Sequence, residues 1–236
     1  ATFREYGDLL NQAVVLMNLG NTFNEIGEFK KALRYYDRSL NIKRRIGDLY
    51  GQGNTLHNIS KALGMLGYHK RALQHSEQGL EISRRIGDIS GVATSHLAVG
   101  IHYRNIGRFG EALASYRQSV RLCRQINEPY ISTANLINIA HLYLIQGQFS
   151  KCGIAISKAE REIRNVQNPY LLVNILSIKA DLYWHQDCSA KACRYLEKCL
   201  AICRRCNLVS DEIWALCLLV RIIVGERKIG KYSLDT

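Results

Sequence analysis

Apolar residues recur along this chain with a helical period. In residues 9–48, Leu16, Leu19, Phe23 and Ile26 stand three, four and three apart, which places them on one helix face. After a break at Ile26-Gly27-Glu28-Phe29, the residues Ala32, Leu33, Tyr36, Leu40 and Ile42 outline a second face. The stretch closes on Ile46-Gly47-Asp48, where Gly suits the left-handed position after a helix and Asp suits the next N-cap. No segment alternates with the period of a strand, and no hairpin dipeptide lies between β-branched runs. The pattern predicts an antiparallel pair of helices, each about 16 to 18 residues and roughly 25 Å long.

The pair repeats. Gly27, Gly67, Gly107 and Gly147 stand 40 residues apart, as do Ala32, Ala72 and Ala112, with Ala192 two periods further on. The two prolines, Pro129 and Pro169, are also 40 apart and fit the first turn of a helix, where a missing N–H costs nothing. A fixed period of this size predicts an array of small identical modules, which works through a repeated surface. Repeats are expected at 9–48, 49–88, 89–128, 129–168 and 169–208. Residues 1–8 then read as the tail of a preceding repeat, and 209–236 as an unpaired final helix and tail. With no Met at the start and two incomplete ends, the chain reads as an internal segment of a longer protein.

The small positions sharpen the identity. Leu16, Leu19-Gly20, Phe23, Ala32 and Tyr36 in the first unit, and Val99-Gly100, Tyr103, Ala112 and Tyr116 in the third, resemble the tetratricopeptide repeat. Positions 20, 60, 100, 140 and 180, and 32, 72, 112, 152 and 192, hold only Gly, Ser, Ala or Cys, as close helix approach requires. The period exceeds the commoner one of about 34 residues. That variant resembles the spindle-orientation adaptors with Leu-Gly-Asn repeats (here Leu19-Gly20-Asn21), kinesin light chains and bacterial signalling proteins. The resemblance implies an all-α fold, a right-handed superhelix (α-solenoid) of about five antiparallel helix pairs plus partial end repeats.

It also implies a ligand, a peptide or helix of a partner protein, held against the first helix of each pair. The matching inner positions hold Asn18, Asn21, Asn54, His57, Asn58, Lys61, Arg104, Asn105, Asn138, His141 and Asn174. An Asn both donates and accepts, so a ladder of them can bracket an extended backbone, with Met17, Leu97 and Ile137 supplying apolar contact. The competing reading is that each amide bridges neighbouring helices. Relatives that clamp a C-terminal carboxylate carry cations where this chain has Met17, Thr94 and Ala98, so that specificity is not expected. The second functional reading is a sensor segment of a larger signalling protein, an ATPase-type transcription regulator or a kinase.

The 236 residues carry a net charge of +12, which raises the question of acidic partners. Arg4, Arg44, Arg84, Arg124, Arg164 and Arg204 recur every 40 residues. They fall in the last turn of each second helix, where a cation complements the helix dipole, so a local role accounts for them. Nucleic acid binding also lacks a recognition motif or an interleaved aromatic and basic patch, and is not expected. Hydrophobic residues make up 47%, which excludes disorder, and no apolar run nears the ~20 residues of a membrane span.

Candidate chemistry is sparse. Six of the eight Cys lie from Cys188 to Cys217, but Cys199 and Cys206 occupy slots that hold Ser or Ile in other units, so packing explains them better than zinc. Without a disulfide framework, reduced thiols and a cytoplasmic setting are expected. Gly225 to Tyr232 nearly spells a phosphate loop, with Tyr232 replacing the required hydroxyl. The seven His stand at no telling distance from an acid or nucleophile. Neither an enzyme nor a cofactor is expected.

Overall fold

The computed structural model describes residues 3–164 and 166–224, with side chains from residue 5 onward. Every regular element among them is an α-helix. Backbone contacts divide the chain into two compact units, Ala1–Ile126 and Asn127–Thr236. The first holds α1 (Phe3–Glu25), α2 (Phe29–Ile46), α3 (Leu49–Met65), α4 (His69–Arg85), α5 (Ile89–Asn105) and α6 (Phe109–Gln125). The second holds α7 (Pro129–Ile145), α8 (Phe149–Ile163), α9 (Pro169–His185), α10 (Ser189–Cys206) and α11 (Val209–Ile223).

Local chemistry sets the helix ends. A residue with left-handed backbone follows each helix from α1 to α10, at intervals of twenty residues: Gly27, Gly47, Gly67, Gly87, Gly107, Asn127, Gly147, Gln167, Asp187 and Asn207. The 40-residue period is therefore two halves of similar length. Asp48 Oδ1 accepts from the Gly51 N–H at 2.8 Å, Asp88 Oδ1 from Gly91 at 2.9 Å, and Asn168 Oδ1 from Leu171 at 3.0 Å, which caps α3, α5 and α9. Pro129 and Pro169 open α7 and α9.

One boundary differs from the sequence reading. The sequence places a break between the tail at 1–8 and the first unit, yet α1 runs unbroken through Gly7-Asp8. Gly7 is not among the left-handed residues, and a Cβ there would meet nothing within 4 Å. A glycine ends a helix when it turns left-handed; its presence alone does not.

The small positions are the seams of the pairs. Ala32, Ala72, Ala112, Cys152 and Ala192 are all fully buried. Opposite them, residue sizes are matched across each pair. Where the second helix carries Tyr36 or Tyr116, the first carries Gly20 or Gly100, and a Cβ on either glycine would overlap the tyrosine ring. Where the second helix carries Ile156 or Leu196, the first has room for Ala140 or Ala180, all four buried. In the second pair two serines replace the couple, and Ser60 Oγ lies 2.5 Å from Ser76 Oγ.

Within each unit the odd-numbered helices touch one another, α1 with α3 and α3 with α5, then α7 with α9 and α9 with α11. Among the described residues no even-numbered helix touches another even-numbered one. The odd helices are thus the inner layer of each unit, where neighbouring pairs converge. No described helix is long and apolar enough to cross a membrane.

Candidate functional site

The inner layer of the first unit presents side chains from α1, α3 and α5. Asn18 and Asn54 are exposed, and neither amide has a hydrogen-bond partner among the described residues. Asn21 and Asn58 are partly buried and pair across α1 and α3. Asn58 Nδ2 donates to Asn21 Oδ1 at 3.1 Å, and that oxygen also accepts from Tyr36 Oη at 2.9 Å. Asn105 Nδ2 lies 3.4 Å from His69 Nδ1, and Arg104 Nε donates to Asn105 Oδ1 at 3.4 Å. Lys61 is exposed beside the half-buried His57, whose pKa is held down by burial and by the lysine charge. Burial and Arg104 do the same to His69. Helices α3 and α5 contain no acidic residue, so this wall is neutral to basic.

In the second unit the corresponding amides face their own helices. Asn138 Nδ2 donates to the Ala134 carbonyl at 2.9 Å and Asn174 Nδ2 to that of Tyr170 at 2.8 Å, the back-bonding common for polar residues within helices. His141 is half-buried. Asp181 on α9 is pushed up to about 6 by burial, against the opposing pull of Arg221. Met17 and Leu97 are half-exposed, but Ile137 is 7% exposed and packs inside the unit. Its expected role as an apolar ligand contact is therefore withdrawn.

The tetratricopeptide repeat models match residues 4–85 and 95–130, together half of the chain. The chain belongs to the tetratricopeptide repeat family. No curated protein matches it by sequence. The array is similar in fold to a Rap protein complexed with competence and sporulation factor, at 16% identity and TM-score 0.68, covering 92% of this chain and 64% of that one. It is similar to the Rap conjugation gene regulator of plasmid pLS20 in complex with the Phr* peptide, at 13% and 0.79, covering 95% and 62%. A signal-transduction ATPase with numerous domains and a tetratricopeptide repeat sensor, from Pyrococcus horikoshii, aligns at 17% and 0.72, covering 93% and 34%. The chain thus spans less than two thirds of each of these proteins.

The repeat register explains what the sequence reading missed. Lys43 fills the buried slot that holds Ser83, Cys123 and Cys203 in other repeats, and is 2% exposed. Its amine donates to Thr55 Oγ1 at 2.9 Å and the Gly51 carbonyl at 3.3 Å, beside Met17 Sδ at 3.2 Å. Burial lowers its pKa, and Asp48 works against that. Ser60 joins Ser76 to His102, whose Nε2 lies 2.8 Å away. Lysine in a column of small residues was a legible signal; the serine–histidine chain, spanning three helices, was not.

Other candidates resolve locally. Cys199 and Cys203 lie buried on one helix with sulfurs 4.0 Å apart, and burial pushes Cys203 up to about 12. No three metal-ligating side chains gather among the described residues. Arg44, Arg84, Arg124 and Arg204 stand in last turns, Arg164 caps α8, and Arg204 Nε bonds Glu212 Oε1 at 2.8 Å. The side chain of Arg4 and the near phosphate loop at Gly225 to Tyr232 lie outside the described residues.

Proposed function

We propose that this array is a non-catalytic, cytoplasmic scaffold that binds a peptide or helix of a partner protein along its inner helix layer. The observation that carries the reading is the pair of exposed amides on adjacent inner helices, Asn18 on α1 and Asn54 on α3, with no hydrogen-bond partner among the described residues. Lys61, His57, Arg104 and the Asn21–Asn58 pair flank them, and in the second unit Asn138, His141 and Asn174 occupy the matching register. Two structural neighbours of the same fold were solved in complex, one with the Phr* peptide and one with competence and sporulation factor, and the first supports this class of ligand. The eight unpaired cysteines, four of them buried, suit a reducing compartment.

A photo-crosslinking amino acid at Asn54, compared with one at the exposed Gln78 of the outer helix α4, tests the reading in cells. Adducts with one defined partner are expected from position 54 and not from 78. Equal labelling from both, or none from 54, refutes an inner-layer ligand.

The second reading is a sensor segment within a longer signalling protein, favoured by the likeness to the ATPase with a repeat sensor. Under it, ligand binding to the array would change the activity of a catalytic module in the same polypeptide, which an activity assay of the full parent chain with and without ligand decides.

A further inference from the structure

Three cations without a carboxylate partner converge on a stacked pair of tyrosines in the second unit. Tyr183 of α9 and Tyr195 of α10 lie with ring centroids 5.4 Å apart and planes within 2° of parallel. They line a cavity of about 270 Å³ with Lys191, Arg194 and Lys198, all on one face of α10. Lys191 Nζ stands 5.3 Å from the Tyr183 ring centre and Lys198 Nζ 5.9 Å from that of Tyr195. Among the described residues none of the three cations makes an ion pair. The neighbouring Lys179 differs, since Glu160 neutralises it at 2.6 Å.

This arrangement works against the stability of the helix that carries it. Lys191, Arg194 and Lys198 are three and four residues apart, where like charges repel, and Lys191 sits in the first turn, where the helix dipole disfavours a cation. Packing does not require them, for all three are exposed. The constellation also recurs. Phe23, Lys31, Arg34, Tyr35 and Arg38 of the first unit repeat it residue for residue 160 positions earlier, with rings stacked at 5.2 Å and Lys31 5.6 Å from the Phe23 centre. There Glu28 lies 3.5 Å from Lys31, so the copy in the second unit is the uncompensated one. Tyr183 joins this group from α9, so the stacked pair of rings is not adjacent in the sequence.

We propose that Tyr183, Lys191, Arg194, Tyr195 and Lys198 form a binding site for a phosphoanhydride chain, either free or as part of a nucleotide. Three positive charges around so small a volume suit a compact, multiply charged anion. An extended acidic peptide spreads its charges over more length, at up to ~3.5 Å per residue. The Arg194 fork matches two phosphate oxygens, and the two ammonium groups supply point charges. Because ammonium groups already stand near both tyrosine rings, the phosphates carry the binding and a base adds little.

Calorimetric titration of the whole chain with tripolyphosphate, ATP and adenosine tests the site. Tripolyphosphate and ATP are expected to bind saturably with affinities within a few-fold of each other, and adenosine not at all. The variant Lys191→Gln/Arg194→Gln/Lys198→Gln should lose at least about tenfold in affinity. The control Arg44→Gln/Arg84→Gln/Arg124→Gln, which removes the same net charge elsewhere, should keep it. Thermal melting should show the first variant at least as stable as the parent. Absence of saturable tripolyphosphate binding, binding by adenosine alone, or equal losses in both variants would overturn the proposal.

Discussion

Gly100 and Tyr116 show how single residues set the spacing of this array. The glycine is conserved in size across repeats only where a tyrosine lies opposite; Gly20 faces Tyr36 in the same way. Placing a methyl group at Gly100 improves helix propensity by about 1 kcal/mol, but it drives Cβ into a fully buried ring. Overpacking wins at that site, and Gly100→Ala should destabilise by about 1–3 kcal/mol. Gly53 is the contrast, since its added Cβ would meet Ile82 and Ser83 at 3.7 and 3.9 Å, ordinary contact distances. Gly53→Ala should stabilise by about 0.5–1 kcal/mol. Urea unfolding of the two variants checks both signs, and a gain at Gly100 would show that the tyrosine moves freely.

At the scale of the helix, the ends are written more strongly than the middles. Asp88 caps α5 through one short bond to Gly91, and a Cβ added at Gly91 would overlap the carboxylate where it now stands. Replacing Asp88 by Ala should cost about 0.5–2 kcal/mol of stability. Gln167 holds the left-handed position that glycine fills at six other turns, with φ of 46°. Gln167→Gly should therefore relieve strain and raise the melting temperature, though greater freedom of the unfolded chain offsets part of the gain. A fall in melting temperature for Gln167→Gly, or no loss for Asp88→Ala, would mean that neighbouring packing and not local chemistry fixes these ends.

Across the whole molecule, the buried histidines of the first unit and the buried Asp181 of the second respond to acid in opposite directions. In the first, burial lowers the pKa of His57, His69, His75, His96 and His102, and His102 reaches about 4, with His69 and His57 adding to the effect. The unfolded chain takes up these protons near pH 6.5, so the stability owed to neutral histidines is complete above that pH and lost as pH falls toward 4. In the second unit Asp181 is raised to about 6 by burial, so the folded form binds its proton first and gains stability as pH falls below 6. Hydrogen exchange at pH 7 and pH 5, corrected for intrinsic rates, should show protection falling in α3 to α5 and holding or rising in α9. Parallel loss in both units would contradict this account. Replacing His102 by Gln should flatten the response of the first unit.

The repeat period, the helix faces, the caps at Asp48 and Asp88, and the small residues at the seams were all legible from sequence, because each depends on residues within one helix or one turn. The pairing of Gly with Tyr across positions 20 and 36 was visible as two columns, but only packing joined them into a size match. The amides divided in a way that spacing cannot reveal: Asn18 and Asn54 are left open, Asn21 and Asn58 hold each other, and Asn138 and Asn174 turn back on their own helices. Rotamers and neighbouring helices decide that. For the same reason the hydrogen-bond partners of Lys43, the Ser76–Ser60–His102 chain and the tyrosine–lysine cavity appeared only in three dimensions. Short-range periodicity specifies what each helix is, while contacts between residues far apart in the chain determine which side chains remain free to bind.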